Sequence, residues 1–280
     1  MIFRFSYSRS LARPELRELT NIYQFDPFQF AVVSGNPALV NQTTNSVDFR
    51  WEWFTAPGEV VSVSAFGKLI DKQLTKVFVL NSLGTESTNP EYPIVKFVND
   101  PEQGKVYGIE LELRKNLGSL WEPFRHIFFG TNSLIAASEI KKNPERLAAA
   151  RIIDRHSPET SPIFEQAPYV VNAYLDYDNP KSRTNITASF NIVGERLVQV
   201  QLDGTPDLYD RPVPVFDLVF SQYVLKRFQV KGFAKNILNA PYRVVYASPR
   251  NNGQYHGNLY VQHQFYKGTE YSLGITYNLF

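Results

Sequence analysis

Thr44 to Ile70 carries the clearest two-residue period in the chain. Val47, Phe49, Trp51 and Trp53 alternate with Ser46, Asp48, Arg50 and Glu52. Successive side chains of a strand point to opposite faces, so this spacing predicts a strand with one apolar and one charged face. Ala56-Pro57-Gly58-Glu59 predicts a tight turn, with Pro fixing φ and Gly free to take a positive one. The chain returns from Val61, with Val63, Ala65 and Leu69 set against Ser62, Ser64 and Lys68. In a soluble sheet the apolar face of such a hairpin meets a core. In a membrane barrel it meets lipid, while the polar face lines a watery lumen. Trp51 and Trp53, close to the turn, suit the headgroup level of a bilayer.

The same alternation recurs along the chain. Ten segments carry it: Ile2–Arg9, the two arms of the hairpin, Lys105–Arg114, His126–Ser138, Tyr169–Asp178, Thr184–Val193, Val215–Val224, Arg227–Ile237 and Glu270–Phe280. The connections between them alternate in length. Ser10–Asn45, Asp71–Gly104, Glu139–Pro168, Gly194–Pro214 and Leu238–Thr269 are long; Thr55–Val60, Lys115–Arg125, Asn179–Arg183 and Leu225–Lys226 are short. Short turns on one side and long loops on the other are the pattern of outer-membrane barrels, with the short turns periplasmic. A soluble sandwich binding module has no reason to sort its loops this way. One long connection carries its own helix signal. Asn143-Pro144-Glu145-Arg146 offers a cap, a first-turn Pro and an early acid, and Leu147–Arg155 reads helical.

Composition narrows the choice. No run approaches the ~18 apolar residues of a transmembrane helix, so a membrane protein of this sequence has to be a barrel. Aromatics make up 14%, which suits strands and interfacial girdles. Cysteine is absent, so no disulfide framework or thiolate site exists, and no cofactor is implied. A net charge of +2 implies no nucleic-acid partner. Met1 opens directly into the alternating Ile2-Phe3-Arg4-Phe5, with no signal-peptide pattern before it.

Several stretches resemble the TonB-dependent outer-membrane receptors, especially those of Bacteroidetes-type bacteria. Ser6 to Leu19 is similar to the strand that runs into a loop through R-P-x-x-R-E-L, and Gly35-Asn36-Pro37-Ala38-Leu39 to G-N-P-x-L. Gly104 to Glu112 matches G-x-x-x-G-x-E-x-E, and Gln166–Asn172 and Asn191–Arg196 resemble two later strands. Lys235-Asn236-Ile237-Leu238-Asn239 is similar to the N-L-x-N/D of the penultimate strand, and Tyr271–Phe280 to the terminal strand. Phe280 stands one residue out of phase with Tyr277.

The resemblance implies an all-β, antiparallel up-and-down transmembrane β-barrel segment of about ten strands, an open portion of a roughly 22-stranded plugged barrel. Residues 1–280 are then the C-terminal portion of the barrel domain, without plug domain or signal peptide. The implied function is the barrel wall of a receptor for energised uptake of a nutrient: a siderophore, cofactor, peptide or glycan. The implied partners are outer-membrane lipid, the missing N-terminal plug of the same receptor, the TonB complex and a small nutrient ligand, in a bacterial outer membrane. It implies a transporter and not an enzyme. The alternative is a complete ten-stranded outer-membrane barrel, such as a surface protease or adhesin. Its first and last strands would run antiparallel and could close.

Candidate contact residues follow from the polar faces. Arg4, Asp48, Arg50, Glu52, Glu110, Glu112 and Lys231 are expected on the lumen wall. Of these, Arg50, Glu52, Glu110 and Glu112 are candidate ligand contacts. His256 and His263, seven apart in the last long loop, are further candidates at the pore mouth. No Ser–His–acid nucleophile context and no metal motif is present.

Overall fold

The computed structural model describes residues 1–27, 31–79, 94–202, 204–224, 227–246, 254–255 and 258–277. Each alternating segment forms a strand of one antiparallel sheet. The strands are β1 (Ile2–Ala12), β2 (Gln42–Trp53), β3 (Val60–Asp71), β4 (Gly104–Asn116) and β5 (Ile127–Lys141). They continue as β6 (Tyr169–Asn179), β7 (Thr184–Val193), β8 (Val215–Val224), β9 (Phe228–Lys235) and β10 (Glu270–Tyr277). Each pairs with its neighbours in chain order, and the sheet ends openly at β1 and β10. The two-residue strand Thr160–Ser161 joins β5 off this path. The expected up-and-down wall is therefore present, and it is not closed. The phase of Phe280 and the turn at Leu225–Lys226 lie outside the described residues.

The register is staggered. Directly opposed residues run Trp53, Val61, Leu113, Thr131, Ala173, Phe190 and Phe216. Trp53 stands at the short-turn end of β2, whereas Phe216 stands at the long-connection end of β8. Strands tilted against a barrel axis have this shear.

Turn chemistry behaves as the residues dictate. Glu59 N donates to Ala56 O at 3.0 Å across the β2–β3 turn, and Gly58 takes φ +80°. In the first long connection, a Cβ on Gly35 would lie 2.4 Å from Thr20 O, so only glycine lets the chain pass the helical turn Leu16–Leu19. Asn36 then donates its Nδ2 to Phe97 O at 3.1 Å. Asn236, at φ +53°, donates its N–H to Asp217 Oδ1 at 2.7 Å and its Nδ2 to Gly268 O at 2.7 Å. Two stretches that carry the family resemblance are thus loop fasteners.

The long connections differ from the expectation of plain loops. They build a second sheet of eight short strands, in the spatial order Tyr23–Asp26, Ala31–Ser34, Ile94–Asn99, Leu74–Val79, Arg196–Gln201, Leu208–Asp210, Tyr242–Tyr246 and Val261–Phe265. All eight come from connections at one end of the wall. Two of the pairings are parallel: Ala31–Ser34 with Ile94–Asn99, and Leu74–Val79 with Arg196–Gln201. The most buried apolar side chains sit in this canopy, among them Ala31, Val95, Leu197, Leu208 and Val245. Strands of three to six residues are too short to carry a clear alternation, and the inner ones are buried on more than one face, which is why the period-two reading passes over them.

The helix spans Pro144–Ile153, two residues shorter at its end than the sequence suggests. Asn143 caps it, its Oδ1 accepting from Arg146 N at 2.8 Å. The connection Lys115–Arg125 is a folded turn rather than a bare one, with one-turn 3-10 helices at Leu117–Ser119 and Glu122–Phe124.

Candidate functional site

The cross-strand register sets the charged candidates into one network. Glu52, Ser62, Glu112, Asn132, Asn172 and Asn191 stand directly opposite one another on successive strands, forming a polar rung across the wall. Arg50 sits one step above Glu52 on the same face. Its Nε lies 2.8 Å from Glu52 Oε1 and its Nη2 2.5 Å from Glu112 Oε2. Its Nη1 donates to Ser64 Oγ at 3.3 Å. Arg4 reaches Glu52 Oε2 from β1 at 2.9 Å. At the far end of the rung Asn191 Nδ2 donates to Asn172 Oδ1 at 2.5 Å. Arg50, Glu52 and Glu112 are therefore brought together. Glu110 stands one rung away, opposite Ser64 and Leu134, and has no ion pair with another described residue. Asp48 and Lys231 share the polar face without joining the network.

Toward the canopy this face changes character. Ile70, Val106, Ala136 and Ile140 form a buried cluster with Phe66 and Leu134, and Ile163 closes over it. Ile163 N donates to Ser138 Oγ at 3.2 Å, and Glu165 N donates to Leu197 O at 2.8 Å. The segment around Ile163 is thus a strap between wall and canopy. Its signal was present in the sequence as apolar residues at polar-phase positions, Phe66, Ile70 and Val106.

Two cavities lie in the canopy, the first of them where it meets the wall. One, of about 550 Å³, is lined by Arg196, Asp210, Tyr242, Lys235, Lys267 and Glu270 among others. Arg196 forks onto Asp210, with Nε 3.1 Å from Oδ2, and Asp210 raises the Arg196 pKa further. Arg211 pairs with Glu195, yet burial still pushes the Glu195 carboxyl upward. Burial also raises the Tyr242 phenol. The other cavity, of about 390 Å³, lies beside the helix and is lined by Lys142, Arg146, Gln201, Asp207 and Tyr209. Arg146 Nη2 is 2.6 Å from Asp207 Oδ2. Lys142 donates to Ser157 Oγ at 3.1 Å, and burial lowers its pKa. Apart from Lys235 and Glu270, at the ends of β9 and β10, none of these residues belongs to an alternating segment, so periodicity gave no signal for them.

His263 lies on Val261–Phe265, its ring 6.1 Å from that of Tyr242 and 6.5 Å from that of Phe265. Burial lowers its pKa. His256 lies outside the described residues. Among the described residues no group of three His, Asp or Glu side chains could hold a metal.

Residues 1–240 match the family described as TonB dependent receptor-like, beta-barrel. No curated protein matches the chain. The wall and canopy are similar to the siderophore receptor PirA of Pseudomonas aeruginosa, with TM-score 0.53 and 15% identity over 85% of this chain and 36% of that one. They are similar to the ferric enterobactin receptor PfeA of the same organism, with TM-score 0.56 and 13% identity over 98% of this chain and 38% of that one. The FrpB iron transporter of Neisseria meningitidis matches with TM-score 0.53 and 15% identity over 98% of this chain and 37% of that one. The chain thus spans between a third and two fifths of each solved structure.

Proposed function

This chain belongs to the TonB-dependent receptor β-barrel family, and we propose that it is the C-terminal portion of the barrel wall of a bacterial outer-membrane receptor for energised uptake of a small nutrient. The observation that carries the reading is an inverted burial pattern. Ser62 on the polar face is 2% exposed while Leu111, on the opposite face of the adjacent strand, is 48% exposed. Water would punish that arrangement and a bilayer rewards it. Phe3, Phe5, Phe49, Ile109, Ile135 and Leu273 continue the exposed apolar face.

The open edges at β1 and β10 support a larger barrel over a ten-stranded one, because unpaired backbone in lipid costs several kcal/mol per group. The remaining wall, to a total of about 22 strands, and a plug inside it come from the same receptor. Arg50, Glu52 and Glu112 face that plug, and Glu110, which has no ion pair among the described residues, is the charge available to it or to a passing ligand. The TonB complex supplies the energy through the plug-side segment. Family and fold neighbours are transport receptors rather than enzymes.

Ferric siderophores, named for the neighbours, are the first ligands to test. A deletion strain grown on single nutrient sources, with the protein located by membrane fractionation, provides the test. Loss of growth on one source with the protein in the outer-membrane fraction is expected. Recovery from the soluble fraction would sink the reading.

A further inference from the structure

The cavity of about 390 Å³ lies between the helix Pro144–Ile153, the segment around Pro158 and Pro162, and the connection from Gln201 to Tyr209. None of its lining residues belongs to a wall strand. Its frame is fixed. Asn143 caps the helix. A Cβ on Gly204 would lie 2.4 Å from Ala149 O, so the connection presses onto the helix where only glycine, at φ +88°, fits. Most polar groups around the cavity are answered within the protein. Arg146 holds Asp207, whose other oxygen accepts from Gln201 N at 2.9 Å. Glu195 pairs with Arg211, and Asp154 Oδ1 accepts from His156 N at 3.0 Å. Two groups are left over. Lys142 Nζ donates to Ser157 Oγ at 3.1 Å and has no ion pair with another described residue. Gln201 is 3% exposed, and its Oε1 is buried with no hydrogen-bond donor among the described residues. A buried carbonyl without a donor is costly, so the cavity is short of one N–H or O–H group beside a cation short of an anion.

We propose that this cavity binds a small N-acylated α-amino acid with an aliphatic side chain, the chemistry also of a peptide's C-terminal residue. The carboxylate pairs with Lys142, and the amide N–H donates to Gln201 Oε1. The side chain rests on Ala150, Ile153 and Pro158, which line the same cavity. An amide donor suits the site better than an ammonium, because a second cation near the half-buried Lys142 is repelled. The volume falls in the range of small-ligand pockets, roughly 300–1,000 Å³. The site is separate from the Arg50–Glu52–Glu112 network of the wall, and its occupancy goes beyond the receptor reading.

The test titrates the intact receptor, purified in detergent, with N-acetyl-L-leucine by calorimetry at neutral pH. Saturable binding is expected. Isocaproate, which lacks the N–H, and N-acetyl-L-leucine amide, which lacks the carboxylate, should each bind about tenfold more weakly or not at all. L-Leucine should also bind more weakly than its acetylated form; the reverse order overturns the proposal. Lys142→Met should erase the preference for the acid over its amide, and Gln201→Met the preference for acetyl-leucine over isocaproate. A merely structural role would weaken all ligands alike. Alanyl-alanyl-leucine separates the two sources: binding as tight as that of acetyl-leucine assigns a peptide end, and binding of acetyl-leucine alone assigns a free acylated amino acid. Should either variant not fold, the ligand series on the wild type decides. Absence of saturable binding means that the cavity holds water only and overturns the proposal, as does equal binding of the acid, its amide and isocaproate. Neither result touches the receptor reading, which membrane fractionation decides separately.

Discussion

Arg146 and Asp207 face each other at 2.6 Å with both side chains largely buried, fastening the helix of one long connection to the canopy strands of the next. Asp207 also accepts from Gln201 N at 2.9 Å through its other oxygen. Arg146→Ala leaves that carboxylate buried and unpaired, at a cost of about 3–5 kcal/mol. The loss should be local. Hydrogen exchange at Pro144–Ile153 is expected to accelerate, and Arg146→Met combined with Asp207→Leu should restore much of the protection. Unchanged exchange in Arg146→Ala would mean that the helix is held by something else.

Replacing Leu111 by Arg places a charge on the lipid face and should cost about 2–4 kcal/mol if the site lies near the midplane. Glu110→Gln, on the polar face and without an ion pair among the described residues, should cost little. Equilibrium unfolding in lipid vesicles ranks the two. The reverse order would mean that the register is slipped by one residue, since such a slip exchanges the faces.

Arg50→Gln strips charge partners from Glu52 and Glu112 at once. A destabilisation of about 1–3 kcal/mol is expected from the half-paired Glu52. Adding Glu52→Gln should return part of it. Strict additivity of the two substitutions in the same unfolding titration would show that the groups do not couple.

The Glu59 carboxyl is held below its ordinary pKa, first by Lys115 and Thr55 and then by the backbone N–H of Asn116. Its stabilisation of the two adjacent turns is therefore fully present above the ordinary glutamate range and is lost as pH falls through the depressed value. Wild type and Glu59→Gln should differ in unfolding midpoint at neutral pH and converge in acid. A difference that grows on acidification would contradict the assignment.

The sorting of short and long connections gives a labelling experiment on whole cells expressing the receptor. Cysteine at Ile152, on the exposed face of the helix, should react with a membrane-impermeant maleimide. Cysteine at Ala56, in the β2–β3 turn, should not. Reaction at Ala56 with protection at Ile152 would invert the wall.

The wall was legible because lipid on one side and water on the other impose the two-residue period, strand after strand, from Phe3 to Tyr277. The canopy was not. Leu197 and Val245 are buried in strands of five or six residues, and neither their pairing nor the parallel sense in which Arg196–Gln201 meets Leu74–Val79 leaves a periodic trace. The Arg50–Glu52–Glu112 network was half legible: alternation placed the three on one face, but only the register between β2, β3 and β4 shows that one guanidinium reaches both acids. Arg146 and Asp207 could not have been matched from sequence, since they lie on different connections with no shared period.

The parallel pairing of Leu74–Val79 with Arg196–Gln201 also sets an order of assembly. Adjacent wall strands follow one another in chain order, and they can zip one after another. The canopy pair joins segments separated by β4, β5, β6 and β7, so closing it early means closing a very long loop before any contact repays the lost entropy. Once those four strands stand side by side, the loop is already closed and the pairing costs little. Pulse-labelled exchange during refolding should therefore protect Val63 before Val77. The mouth of the receptor is the last part to take shape, on a frame that the membrane has already sorted.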